Sequence, residues 1–532
     1  MANVKGESWV AHKHLFLACG VMILSPFQYG IDFGMIGGLQ AMVGFLKVFG
    51  YATPITKIGY NLTTERQQLI SSLMTLGAFI SSGFAGVAAN KFGRRACLGL
   101  ACGVCCVANI IMMTTTNIIA LYIGRLTIGF ANGYFMCFSQ LYIQESSVAQ
   151  YRGLFLTGFQ FFTSFGTLIG TIVDWATAKR PDKSSYLIPL GLIYVVPSIL
   201  FVSMFLIPES PRWLILQGRY EEGVKALAWL RPEGSDVEAE AFDIRAAIER
   251  EKEMSSGIGP LDMIRNPVDR RRTILAVCAV TLQASSGSMF IIAYKAYFFT
   301  IAKVSDPFAM TNVLSCIGII AIIANALIIV KYGRRRVLLI TGLLVCGILQ
   351  LIIAVVYTKK PGTKDTGRVI VALSCLYMFS YNGMISTYAW LAGGEIPTQR
   401  LRSHTFGLAA AVGFFFAWLT TFTAPYFINA AALNWGPRYG FIWFPSCVIA
   451  ATWVFFFLPE VKNRTLEEID EMFEAKLPAR KFKGYKCVGV ASAMDGGVKG
   501  GRRSGERDEK RDLDIEVLTS EKVMTETNVT KE

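Results

Sequence analysis

Pro208-Glu209-Ser210-Pro211-Arg212-Trp213-Leu214 opens the one long hydrophilic stretch between the termini, which runs through charged, helical sequence to Asp269-Arg270-Arg271-Arg272. On either side lies a half of similar length built from apolar runs of about 20 residues, the length that spans a bilayer as a helix. The stretch therefore reads as a cytoplasmic linker with short helices, 208–272, between two membrane halves, 15–207 and 273–458. Residues 1–14 and 459–532 are read as cytoplasmic ends, the second disordered beyond about 480, where Gly, Lys, Arg, Asp and Glu dominate.

Composition agrees with a membrane chain. Hydrophobic residues make up 53% and charged residues 17%, against about 25% charged in soluble chains. The start, Met1-Ala2-Asn3-Val4-Lys5, is polar and shows no removable signal. The formal charge is +14, but the Lys and Arg sit in short loops, which marks cytoplasmic loops rather than a nucleic-acid surface. Twelve cysteines are scattered, mostly inside apolar runs. Cys102, Cys105 and Cys106 read as small buried thiols, not as a metal site.

Twelve spans are predicted, roughly 15–37, 67–89, 96–116, 118–141, 153–175 and 186–207, then 273–300, 308–330, 337–357, 368–392, 404–428 and 438–458. An even count puts both termini on one face. The loops with Lys91, Arg94 and Arg95 and with Lys331 to Arg336 share it, so it is read as cytoplasmic. Asn61-Leu62-Thr63 then lies outside as a glycosylation candidate, whereas Asn463 and Asn528 lie inside.

The halves carry the same marks in the same order. Gly93-Arg94-Arg95 reappears as Gly333-Arg334-Arg335, an offset of 240. Glu145 and Arg152 reappear as Glu395 and Arg402, an offset of 250, and Pro208-Glu209 as Pro459-Glu460, an offset of 251. Three ordered marks at nearly one offset indicate a duplicated six-helix unit, a construction common among secondary transporters with a midplane site.

The segments Gly124-Arg125-Leu126-Thr127-Ile128-Gly129, Tyr142-Ile143-Gln144-Glu145 through Arg152-Gly153, Pro208 through Leu214 and Pro459-Glu460-Val461-Lys462-Asn463-Arg464-Thr465-Leu466, taken together and in order, resemble the sugar porter family of the major facilitator superfamily. The match runs from about residue 15 to 475. Ile291 through Phe299 and Arg400-Leu401-Arg402-Ser403 look most like fungal α-glucoside (maltose-type) permeases. The resemblance implies an all-α membrane protein of twelve helices in two pseudo-symmetric bundles, the major facilitator fold. It also implies a multi-pass protein of the plasma membrane, monomeric in the lipid bilayer.

Asp32 lies deep in the first span, where a carboxylate costs about 2.5–3.5 kcal/mol or more, so a functional role is the default. Arg125 in the fourth span is its natural partner. In the family the matching acid takes the coupling proton and the matching arginine tunes it; a static ion pair is the plainer alternative. Gln160 in the fifth span matches a substrate-binding glutamine. In the seventh, Gln283 matches one of two adjacent family glutamines, while the second position is Ala284 and a later asparagine position is Met289. Ser286 and Tyr294 are further polar candidates there. Trp390 matches a tryptophan whose ring stacks on sugar, and the eleventh-span polar position reads as Gly413. The site is thus more apolar than a glucose site of the family.

The family's cytoplasmic gate maps onto Gly93, Arg94, Arg95, Glu145, Arg152, Glu209, Arg212, Gly333, Arg334, Arg335, Glu395, Arg402 and Glu460. The acid usual three residues before each gate glycine is replaced by Asn90 and Val330, so a weakened gate and an inward-biased resting state are expected. The resulting expectation is a secondary transporter importing a hexose or α-glucoside by proton symport, with no cofactor beyond the proton. The alternatives are a facilitative uniporter, a carrier of a quinate-like acid or secondary metabolite, and a transporter-like nutrient sensor. No phosphate loop, metal cluster or nucleophile motif points to an enzyme.

Overall fold

A computed structural model describes residues 11–54, 59–255, 262–304, 306–329, 334–398, 401–429, 431–462, 464 and 466–485. Twelve spans occur in order: Lys13–Leu39, Thr64–Phe92, Arg94–Thr114, Ile118–Ser146, Ala149–Thr177 and Ser184–Ser203, then Pro267–Ile301, Pro307–Leu327, Arg335–Lys359, Lys364–Glu395, Arg402–Ile428 and Gly436–Phe457. Eleven meet both length and hydropathy for crossing a membrane, and the fifth is as long as the second.

Local sequence sets where these helices begin. Thr63, Asn117, Asn266, Asp306 and Thr363 each accept a first-turn backbone N–H through the side chain, the capping that satisfies otherwise orphaned donors. Asn266 with Pro267 at the first helical position moves the seventh span's start to Pro267 from the expected 273. Asp269 and Arg272 thereby enter a helix and are buried. The linker forms short helices, Pro211–Leu216, Tyr220–Leu230, Val237–Ser255 and Asp262–Arg265. Ile215, Leu227, Ala241 and Ile248 give them a small core of their own.

The spans invert the burial of a soluble protein. Val87, Leu206, Leu327 and Ile449 are exposed, facing where lipid would lie, while Ser25, Gln28, Asn109, Asn132 and Ser139 are buried between helices. That is the packing of helices whose surroundings are as apolar as their cores.

The duplication is visible in the packing. Spans 1 and 5, 2 and 4, and 3 and 6 pair in the first half, matched by 7 and 11, 8 and 10, and 9 and 12 in the second. The halves meet through spans 1 and 7, 2 and 11, and 5 and 8. Three spans depart from regular helix. The seventh breaks at Gly287, in the left-handed region at φ 77°, where a Cβ would come within 2.7 Å of the Trp443 ring. The eighth ends in a π turn, Asn325–Ile329, and the tenth carries another, Tyr381–Ser386.

Residues Val461–Glu532 form a separate unit. Its described part holds a helix, Leu466–Glu474, and a 3-10 turn, Ala479–Gly484, closed on each other by Phe473 and Phe482 with ring centroids 5.0 Å apart. The tail expected to be disordered lies outside the described residues beyond 485, as do Asn463 and Asn528.

Candidate substrate and coupling site

A cavity lies between the halves, lined from spans 1, 4 and 5 on one side and 7, 8, 10 and 11 on the other. The fifth span presents Gln160, Thr163, Ser164 and Thr167; the tenth presents Tyr381, Asn382, Ser386 and Trp390. Three of the last four belong to the π turn. Irregular backbone at membrane depth is tolerated where it lines such a space, and π turns recur at functional sites. None of the lining residues is charged.

Three predicted contacts, Gln160, Gln283 and Trp390, line this cavity. The Gln283 amide donates to the Ser386 carbonyl at 3.0 Å, which ties span 7 to span 10 and leaves its oxygen free of those bonds. Trp390 packs with Phe406 and Phe414, ring centroids 6.0 and 6.4 Å away. Ala284, Met289 and Gly413 also line it, so the three lost polar positions do form apolar wall.

Two expectations are corrected. Ser286 is fully buried behind the wall; its hydroxyl donates to the Gln283 carbonyl at 2.6 Å and its carbonyl accepts from Tyr377 at 2.9 Å. It stabilises the helix break. Tyr294 is equally buried and spends its hydroxyl on the Thr421 carbonyl at 2.7 Å. Neither lines the cavity. Conversely, Tyr29, Tyr381 and Asn382 line it and were not singled out, because a polar residue within a span looks like any interhelical bond in sequence.

Asp32 sits between the lining residues Tyr29 and Phe33 and is 2% exposed. Arg125 donates to its Oδ1 at 2.8 Å and Asn132, about two turns further along the fourth span, donates to its Oδ2 at 2.9 Å. Arg125 spends its remaining nitrogens on span 2, at the Ile70 carbonyl (3.1 Å) and the Met74 sulfur (3.3 Å). The carboxylate thus ties span 1 to span 4, and the guanidinium ties both to span 2. Sequence reasoning missed Asn132; its placement seven residues after Arg125 on one helix was the available signal.

At the face where span 1 begins and span 12 ends, Arg94 donates to Glu145 at 2.6 Å, and Glu209 accepts the backbone N–H groups of Arg94 and Arg95. Burial pushes the Glu209 carboxyl above the usual glutamate range, opposed by those N–H groups and that of Ser210. A Cβ on Gly93, which has φ 86°, would stand 2.5 Å from that carboxylate, so glycine is required by both backbone and space. In the second half Arg335 pairs with Glu395, and Glu460 accepts the N–H of Arg336 at 3.0 Å. The structural equivalent of Arg94 is therefore Arg335. Arg334, expected in the gate, is exposed and merely precedes the ninth span. Each of these pairs joins groups of one half. Gly333 and the side chains of Arg152 and Arg402 lie outside the described residues; Arg212 lies in the first turn of the linker's first helix.

At the opposite, distal face the halves are bonded directly. Asn429 donates to Gln67 at 2.8 Å and to the Leu62 carbonyl at 3.3 Å, and accepts from Asn61 at 3.5 Å. Thr75 meets Thr421 at 3.3 Å. Asn61 is 4% exposed in this seam, which corrects its reading as a glycosylation site: the amide is enclosed and its oxygen caps Leu62.

Two six-helix halves, packed alike and meeting around a cavity lined by uncharged polar and apolar side chains, define a membrane carrier of the major facilitator type. The model of the sugar (and other) transporter family matches residues 18–473, and the chain belongs to that family. The major facilitator-type transporter ecdD of Aspergillus rugulosus is 28% identical over 504 residues, 91% of each chain. The low-affinity glucose transporter HXT1 of Saccharomyces cerevisiae is 24% identical over 474 residues, 87% of this chain and 82% of that one. Among solved structures, the proton:xylose symporter XylE of E. coli shares the fold with a TM-score of 0.69 at 19% identity, over 87% of this chain and 99% of that one.

Proposed function

We propose that this sugar transporter imports a neutral, hexose-sized sugar or polyol together with one proton, by alternating access. The observation that carries the reading is the placement of Asp32: a buried carboxylate beside the cavity, bonded among the described residues to Arg125 and Asn132 of the first half. Protonation removes the charge that Arg125 and Asn132 hold, which loosens span 1 from span 4. Span 1 also packs on span 7 of the other half, so this local release reaches the interface that must move.

The uncharged lining suits hydroxyl groups, which Gln160, Asn382 and the threonines meet with donors and acceptors, while Trp390 offers a ring face. The apolar wall at Ala284, Met289 and Gly413 favours a substrate with a less hydroxylated edge than glucose. The named glucose-transporting relative favours hexose over the α-glucosides suggested by the permease-like segments. Bonds between the halves at the distal face support a state closed there, with that face external and the termini cytoplasmic.

The test is uptake of labelled hexoses, maltose and polyols in transport-deficient yeast, with and without a protonophore. Protonophore-sensitive accumulation of one sugar is expected. Equilibration that ignores the protonophore would make the protein a facilitator. No uptake with the protein at the surface would favour a sensor or a non-sugar carrier.

A further inference from the structure

Two more charged side chains are buried at membrane depth, one on each half. Asp174 lies near the distal end of the fifth span and is 1% exposed. Both of its oxygens lack a hydrogen-bond partner among the described residues. Lys295 lies in the seventh span, 4% exposed, and donates to Ser315 at 2.9 Å. Ser315 lines the cavity, and so does Thr167, two turns before Asp174. The two charges therefore stand just distal to the cavity, where the halves must part if the distal face is to open.

Span 1 runs between them. Asp174 Oδ2 stands 2.0 Å from where a Cβ on Gly38 would be, and the Ala293 carbonyl, two residues before Lys295, stands 2.4 Å from a Cβ on Gly37. A side chain at Gly38 would push span 1 off span 5, and one at Gly37 would push the two halves apart. Asp174 and the Lys295 segment thus flank span 1 at the Gly37–Gly38 step. The other charges on elements packed against the fifth span are engaged or distant. Asp32 and Arg125 hold each other, Glu145 holds Arg94, and Lys13 and His14 begin span 1 at the opposite face. The eighth span carries no charge, and Ser184–Leu192 contributes only Tyr186 as a titratable group.

We propose that Asp174 is a second proton-binding carboxylate of the carrier, loaded from the distal side as the seam closes over it, with Lys295 setting the pH at which it loads. This rests on the alternating-access reading. A carboxylate enclosed without a hydrogen-bond donor is costly as an anion and far less so with a proton. In water, with the seam open, the same group ionises. Closure therefore takes up one proton on Asp174, and reopening returns it to the side from which it came. The proton is not carried across, so this latch leaves the coupling ratio to Asp32 and makes distal closure respond to external pH. Linkage sets the size: where Asp174 is ionised in the open form and protonated in the closed form, each pH unit shifts the closed-to-open ratio by up to about tenfold.

The test uses the full-length protein in Asp32→Asn background, so that the coupling acid contributes nothing. Leu62→Cys reports seam opening through its labelling rate with a membrane-impermeant maleimide. The rate is divided by that of Leu433→Cys, an exposed distal position, at the same pH, which cancels intrinsic thiol reactivity. The expected ratio falls several-fold to tenfold per unit as pH is lowered, and becomes flat and low when Asp174→Asn is added. Lys295→Gln removes the opposing cation and moves the fall to higher pH. A flat ratio with Asp174 intact, or an unchanged fall without it, overturns the proposal. If Asp174→Asn does not reach the membrane, an unmoved curve in Lys295→Gln overturns it as well. No substrate enters this measurement, so its failure is distinct from a failure of sugar uptake.

Discussion

Asp32→Asn separates coupling from transport. Asparagine has the shape of aspartate, so its oxygen can keep the Arg125 bond now made at 2.8 Å. Its NH2 would then face the Asn132 amide nitrogen, now 2.9 Å away. Asn132 Oδ1 has no partner among the described residues, so a flip of that amide restores the second bond. Arg125 also retains the Ile70 carbonyl and the Met74 sulfur. The helix contacts should survive; what disappears is the ability to gain and lose a proton. One proton moving down 100 mV releases about 2.3 kcal/mol, enough for about a 50-fold gradient of a neutral sugar, since each 1.4 kcal/mol is tenfold. Wild type in energised vesicles at that potential should approach that ratio. Asp32→Asn should stay at a ratio of about 1 while exchanging labelled for unlabelled sugar at a comparable rate. Accumulation well above 1 by Asp32→Asn would refute the reasoning, because among the described residues no other carboxylate is bonded to Arg125.

Four further outcomes follow from the geometry. Asn429→Ala removes three bonds between the halves, each worth about 1 kcal/mol net, so the distal seam should label at least several-fold faster with impermeant maleimide; an unchanged rate would show that these bonds do not hold it. Arg335→Ala should impair uptake whereas Arg334→Ala stays near wild type, and the reverse order would restore the register expected from the glycine motif. Trp390→Ala should raise the KM for the transported sugar about tenfold or more with normal surface expression, and Tyr294→Phe should change KM little because its hydroxyl never reaches the cavity. Treatment with an endoglycosidase should leave the gel mobility of the protein unchanged, and a shift abolished by Asn61→Gln would mean that the seam opens widely during biogenesis.

Much of the architecture was legible because membrane helices write themselves as apolar runs and duplication leaves aligned marks. The duplication also shows where alignment by motif goes astray. The second half has three consecutive arginines after its glycine, and matching glycine to glycine puts Arg334 opposite Arg94. The carboxylates decide otherwise. Glu145 and Glu209 hold Arg94 and the N–H groups at 94 and 95, while Glu395 and Glu460 hold Arg335 and the N–H at 336. The true offset at this mark is 241, nearer the other two, which a sequence comparison anchored on the acids would have found.

The site was legible less evenly, for a physical reason. Asp32 stood out because a carboxylate in the middle of an apolar run has no cheap explanation. Asp174 and Lys295 are governed by the same cost, yet each lies toward the end of a run, where a charge can equally reach the interface and needs no partner. Only three-dimensional packing distinguishes the two cases: burial to 1% and 4%, and a neighbouring helix packed so closely at Gly37 and Gly38 that a Cβ at either would clash. Ser286 and Tyr294 failed in the opposite sense. Each is a polar residue in a span that lines the cavity, but Ser286 is spent on the break at Gly287 itself, and Tyr294 lies beyond the break, in a segment that does not continue the helix of Gln283. Polarity alone cannot reveal such a break, and the residues that surround it, Gln350, Tyr377 and Trp443, belong to spans far away in sequence.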